Sequence, residues 1–137
     1  FAGIFKAMFK GGNGVLRLSN PDDILETGVD IIAIPPGKKI NSPVLLSGGE
    51  KALTAICLLF AILKVKPAPF VILDEAEAAL DEVNVDMFGK YLEKNKLDTQ
   101  FIVITHKKRM MEYCDSLYGI TMQESGVSKI VSAKLES

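Results

Sequence analysis

Leu45-Leu46-Ser47-Gly48-Gly49-Glu50-Lys51 and, further on, Phe70-Val71-Ile72-Leu73-Asp74-Glu75 are the two stretches whose reading decides the fold. The first is a serine-glycine-glycine turn opening a long apolar segment, a shape suited to presenting backbone N–H groups to a phosphate. The second is an apolar strand that ends in two adjacent carboxylates. One of these suits Mg²⁺ and the other suits activation of water. Together they read as two parts of an ATP-hydrolysing site whose third part is absent from these residues. No G-x-x-x-x-G-K-[ST] phosphate loop occurs in the chain. Gly11-Gly12-Asn13-Gly14 lacks the lysine, and Pro35-Pro36-Gly37-Lys38-Lys39 lacks the spaced glycine. The chain reads as half of a nucleotide-binding domain.

Outward from these stretches, the pattern alternates strand and helix. Phe1, Ile4, Phe5, Met8 and Phe9 recur at helical spacing, and the glycines from Gly11 stop that helix. Val15 to Leu18 and Val29 to Ile34 read as strands separated by the Ser19 to Asp23 turn. Lys38 to Val44 reads as irregular. Glu50 to Lys64 is apolar on nearly every side, which predicts a buried helix ended by Pro67 and Pro69. Phe70 to Leu73 and Phe101 to Thr105 lack alternation, as parallel strands covered on both faces do. Val83 to Lys94 predicts a helix with a polar face, carrying Val83, Met87, Phe88, Tyr91 and Leu92. A further helix is expected through about Tyr113, then a hairpin from Leu117 to Val131 turning at Gln123 to Gly126. The expected class is α/β, a mostly parallel sheet flanked by helices with a terminal β-hairpin, in one domain over residues 1–137.

Composition narrows the partners. A net charge of -1 offers no bulk attraction for nucleic acid or membranes. The basic clusters Lys38-Lys39 and Lys107-Lys108-Arg109 read as solvated surface. Two cysteines make no disulfide framework, and Cys57 reads as a small hydrophobe in an apolar helix, which fits the cytoplasm. No apolar run is long enough for a membrane span, no secretory signal is visible, and the absent initiator Met hints at an upstream segment.

Each candidate residue also has a plainer reading. Ser47 and Glu50 fit a capping box, yet Gly48 and Gly49 cost about 1 kcal/mol each relative to alanine in a helix. Bare glycines make sense where another molecule approaches the backbone, so cap and phosphate contact both stand. Asp74 reads as a Mg²⁺ ligand or a helix cap, and Glu75 as the group that orients or deprotonates water. His106, the only histidine, closes the second apolar strand, which puts it at the same sheet edge as the carboxylates. There it suits a γ-phosphate sensor, although a lone histidine is often structural. Asp81 suits a helix cap, a role compatible with a site role.

With those residues in order, the chain resembles the C-terminal half of an SMC (structural maintenance of chromosomes) head domain, an ABC-type ATPase. Leu46 to Lys51 resembles the signature motif, Phe70 to Glu75 the Walker B strand, Ala79-Leu80-Asp81 the D-loop, and Ile104-Thr105-His106 the switch-histidine loop. Pro21-Asp22-Asp23, Pro35 to Lys39 and Leu117 to Gly126 are also similar to bacterial SMC proteins. The resemblance implies ATP and Mg²⁺ as cofactors and chromosome condensation and segregation as the setting, nucleoid-associated in the cytoplasm. It implies an N-terminal half carrying Walker A, joined through a coiled coil whose last turns are residues 1–10, with residues 11–137 as the ATPase lobe. It further implies a second head in a homodimer, a bridging kleisin subunit, DNA bound through the full complex, and no membrane. Ser47, Gly48, Gly49, Glu50 and Lys51 would contact nucleotide held by the opposite head, with Asp81 beside it. Asp74, Glu75 and His106 would serve their own head's nucleotide. The half alone is expected to be inactive. Two other readings stand beside it: a repair or recombination ATPase of the same superfamily, and a non-catalytic interaction module. An ABC transporter subunit fits least, since Glu50 stands where its signature normally has Gln.

Overall fold

A computed structural model describes residues 1–38 and 45–134 of the chain. The expected segment Lys38 to Val44 therefore falls, from Lys39 onward, outside the described residues. Ten elements follow in order: α1 (Ala2–Met8), β1 (Asn13–Leu18), β2 (Val29–Ile34), α2 (Gly48–Val65), β3 (Phe70–Asp74), α3 (Glu82–Asn95), β4 (Gln100–Ile104), α4 (Lys108–Met111), β5 (Ser116–Glu124) and β6 (Val127–Lys134).

α1 buries Ile4, Phe5 and Met8 and ends where Lys10 takes φ 54. The Gly11 N–H then donates to the Lys6 carbonyl at 2.9 Å, and the Lys10 N–H donates to that of Ala7 at 3.4 Å, which closes the helix by the paired bonds of a Schellman end. α2 is capped by Ser47, and Lys66 follows its last residue before Pro67 stops it. α3 starts at its cap, Asp81, whose carboxylate accepts the Asn84 N–H at 2.8 Å. That start turns Val85, Phe88, Gly89 and Leu92 inward and leaves Val83 61% exposed, so Val85 occupies the inward position expected of Val83.

The α/β class expected from the sequence holds, and among the described residues its parallel part is confined to one ladder. Among the described residues there are three two-stranded sheets: β1–β2 antiparallel, β3–β4 parallel and β5–β6 antiparallel. β3 and β4 run in register from Phe70↔Gln100 to Asp74↔Ile104. Their odd and even positions face different surroundings. Leu73 is buried, and Val71, Phe101 and Val103 pack against the core beneath α2 and α3. Phe60 of α2 supplies the centre of that core, with ring centroids 6.1 Å from Phe101, 6.0 Å from Phe88 and 4.5 Å from Tyr91.

The opposite face corrects the expectation of strands covered on both sides. Phe70, Ile72, Ile102 and Ile104 are all exposed there. α2 likewise buries only one stripe, Leu53, Thr54, Ile56, Cys57 and Phe60, while Ile62 and Val65 face solvent. The apolar sequence is matched to more cover than these residues themselves provide. Cys57 behaves as expected: it is fully buried, and burial pushes its thiol up to about 12.

The helix expected through Tyr113 is shorter. α4 covers only Lys108–Met111, and turns carry the chain on to Cys114. The basic clusters are also not simply solvated. Arg109 grips Asp86 of α3 through two bonds, Nε–Oδ1 at 2.5 Å and Nη2–Oδ2 at 2.9 Å. Tyr113 adds a hydroxyl bond to the same carboxylate at 3.0 Å, while its ring covers Gly89 so closely that a Cβ there would sit 2.2 Å from it. The Arg109 guanidinium holds the Asp86 carboxyl down at about 2. Lys38 and Lys107 are engaged in the site described next.

Candidate functional site

The carboxyl ends of β3 and β4 lie side by side, and the two chain segments leaving them form the site. In α/β proteins, ligands gather at this edge of a parallel sheet. Asp74, the last residue of β3, pairs in register with Ile104 and exposes its carboxylate. Glu75 follows in the left-handed region at φ 46, a conformation that costs a non-glycine residue about 1–2 kcal/mol. Two backbone bonds hold it there: its N–H donates to the Ile104 carbonyl at 3.0 Å, and its carbonyl accepts the Ala78 N–H at 3.0 Å. The turn throws the Glu75 side chain toward His106, whose Nδ1 lies 3.2 Å from Glu75 Oε1. Both side chains stay more than half exposed, so their attraction contributes little to stability. A sheet edge carrying an accessible acid and an accessible imidazole in contact is instead equipped for proton chemistry.

Asp74 has a donor set suited to Mg²⁺, which binds through one or two carboxylates and keeps waters and substrate phosphates as its other ligands. Among the described residues no group of three or more His, Cys, Asp or Glu side chains could hold an ion by protein atoms alone. A single exposed carboxylate at a strand end fits the water-rich mode.

The second motif builds a separate part. Ser47 Oγ accepts the Glu50 N–H at 3.2 Å and Glu50 Oε2 accepts the Ser47 N–H at 2.6 Å, so the capping box is real. Lys38, one of the basic residues read as surface, reinforces it with Nζ 2.7 Å from Glu50 Oε2 and 2.9 Å from the Leu45 carbonyl. That bond, followed by the Ser47 N–H, holds the Glu50 carboxyl below its ordinary range. Gly48 has open space around it, while a Cβ on Gly49 would stand 3.1 Å from the Ala79 carbonyl. Glycine at 49 lets the start of α2 close on the turn before Asp81. Ser47, Gly49, Glu50, Ala79, Asp81 and Asn84 line an open cleft of about 580 Å³ at this junction. Lys51 is exposed in the first turn of α2, its N–H bonded to the Ser47 carbonyl at 2.9 Å.

The expected residues thus form two groups, Asp74–Glu75–His106 and Ser47–Gly49–Glu50–Asp81, joined by the turn from Glu75 to Asp81. Sequence reasoning passed over Glu77 and Lys107. Glu77 is 1% exposed, accepts the Thr105 hydroxyl on Oε1 and leaves Oε2 buried without a hydrogen-bond partner. Lys107 Nζ donates to the carbonyls of Glu77 at 2.8 Å and Leu80 at 2.7 Å. The available signal was the spacing: Glu77 stands two residues beyond Glu75 and Lys107 one beyond His106, on turns brought together by the strand pairing.

Residues 19–129 match the family model described as RecF/RecN/SMC N terminal domain. The chain belongs to this family. Among curated relatives, the chromosome partition protein Smc of Bacillus subtilis (strain 168) is 63% identical over 136 residues, covering 99% of this chain and 12% of the relative. The chain therefore spans about one eighth of that relative's length. Two solved SMC structures superpose closely. One, from work on ATP-driven dimerization and DNA stimulated activation of SMC ATPases, is 41% identical with a TM-score of 0.87, covering 97% of this chain and 80% of that one. The other, an Smc head domain with an extended coiled coil bound to the C-terminal domain of ScpA from Pyrococcus furiosus, is 43% identical with a TM-score of 0.86, covering 97% of this chain and 33% of that one. The fold of this chain is that of an SMC ATPase head.

Proposed function

We propose that this chain is the signature-motif and acidic half of an SMC-type head, which hydrolyses ATP when joined to an N-terminal half carrying Walker A. The observation that carries the reading is the meeting of Asp74, Glu75 and His106 at the carboxyl end of the β3–β4 ladder. Asp74 would hold Mg²⁺, which when bound would neutralise phosphate charge. Glu75 orients and deprotonates the attacking water, and His106 reads the γ-phosphate. Gly48 and Gly49 offer backbone N–H groups, and Ser47 its hydroxyl, to the γ-phosphate of nucleotide held by a second head. Glu50, Lys51 and Asp81 shape that contact.

The bare face of β3–β4 supports a split site. Phe70, Ile72, Ile102 and Ile104 are each about half exposed, and covering them would add on the order of 4 kcal/mol. The missing half is the occupant this reading assigns. The remaining assignments rest on the relatives: a homodimer of heads closed by ATP, a kleisin subunit such as the ScpA bound in the Pyrococcus furiosus structure, DNA in the full complex, and a bacterial cytoplasmic, nucleoid-associated setting. Residues 1–10 are the end of the returning coiled-coil strand. Among the described residues no helix is long and apolar enough to cross a membrane.

The test is Glu75→Gln in the full-length protein that contains this chain. ATP binding and head dimerisation should persist while turnover falls about 10²–10⁴-fold. Turnover at the unmodified rate would remove the role of Glu75, and efficient hydrolysis by this chain alone would remove the split site.

A further inference from the structure

Behind the exposed Glu75–His106 contact lies a half-buried one between the same two turns. The Thr105 hydroxyl donates to Glu77 Oε1, and the Lys107 N–H donates to Thr105 Oγ1 at 3.0 Å. Lys107 then sends its side chain across to the other turn, where Nζ binds the Glu77 and Leu80 carbonyls. The residues alternate: 75 and 77 on one turn meet 106 and the flanking 105 and 107 on the other. Neither turn can rotate to separate Glu75 from His106 without breaking these inner bonds, because the two layers share one backbone.

A carboxylate buried to 1% exposure with one unpartnered oxygen is an expensive way to hold a turn, since a buried polar atom without a partner keeps its full desolvation cost. An apolar side chain at 77 would pack without that cost but could not accept the Thr105 hydroxyl. Leu80, gripped by Lys107, immediately precedes Asp81, which caps α3 and lines the cleft beside Gly49. One lysine therefore ties the His106 turn to both the Glu75 turn and the Asp81 turn, while its own ammonium sits on carbonyls rather than at the exposed edge.

We propose that Thr105, Lys107 and Glu77 are positioning residues that set the Glu75–His106 separation and the placement of Asp81, so that turnover depends on them and nucleotide affinity does not. The inference rests on the nucleotide reading above. Both are tested together in the full-length protein that contains this chain, by steady-state ATP hydrolysis with kcat and KM resolved. Lys107→Met keeps the apolar stem and removes both carbonyl bonds. It should lower kcat roughly 10- to 100-fold, the cost of about an ångström of misplacement, with KM for ATP within about twofold. Thr105→Val should act in the same direction, and Thr105→Ser, which restores the hydroxyl, should recover kcat to within about threefold of the parent. An unchanged kcat in Lys107→Met overturns the inference. So does a parallel fall of kcat, ATP affinity and melting temperature in Thr105→Val that Thr105→Ser fails to reverse, since that is a stability effect. Glu75→Gln, run alongside, separates the two readings. If it keeps full turnover, the nucleotide reading falls and this inference with it. If it is inactive while Lys107→Met is fully active, only the positioning role is lost.

Discussion

The two faces of the β3–β4 ladder have the same chemistry and opposite fates. Inward, Val71, Leu73, Phe101 and Val103 meet the aromatic cluster of Phe60, Phe88 and Tyr91; outward, Phe70, Ile72, Ile102 and Ile104 meet solvent. A strand polar on its outer face would mark a sheet with one solvated side. These strands are apolar on both, so the pattern is written for two covers, of which α2 and α3 are one. The acid and histidine stand at the end of this half-covered ladder.

That contrast is open to direct attack. Phe88→Ala, on the inner side, should destabilise the chain by about 3–5 kcal/mol in denaturant titration, because it empties a fully buried position beside Phe60. A loss below about 1 kcal/mol would mean that the inner face is not the core it is taken to be. A smaller, pH-dependent effect belongs to the Arg109–Asp86 clasp that fastens α4 to α3 over this inner side. The folded Asp86 carboxyl is depressed to about 2 from an ordinary value of 3.8. Its contribution is therefore complete above about pH 4 and is lost as pH falls through the region of 2. The stability difference between the parent and Asp86→Asn should shrink along that path, and a difference constant from pH 6 to pH 2 would contradict the clasp. On the outer face, Ile102→Ser should cost this chain about 1 kcal/mol, for the half of the side chain that its own neighbours already bury. In the full-length protein the same change should cost about 1 kcal/mol more, since the other half of the isoleucine's burial is then also at stake. Equal effects in the two settings would leave the outer face without a cover.

Several elements were legible because their causes are local. Val29–Ile34 and the β3 run were readable from apolar composition and flanking Pro or Gly, and the Ser47 and Asp81 caps from residues within one helical turn. The edge shared by Asp74, Glu75 and His106 was readable from two apolar strands that each end in a polar residue. Burial was harder. Val85 replaced Val83 on the inner face of α3 because the Asp81 cap sets the helical phase, which periodicity leaves free by a residue or two. Lys38, Lys107 and Arg109 looked like solvated charges because their partners Glu50, Glu77 and Asp86 are distant in sequence.

By itself the sequence determined the strand and helix order, the caps of α2 and α3 and the chemical types gathered at one sheet edge, all set by neighbours within a few residues. Only the tertiary structure decided that Glu75 takes a left-handed turn toward His106, that Glu77 is buried beneath them under Thr105, and that one face of β3–β4 is bare. Those outcomes depend on contacts between segments some thirty residues apart, such as the 28 separating Glu77 from Thr105, and no local pattern encodes which distant group fills a given space.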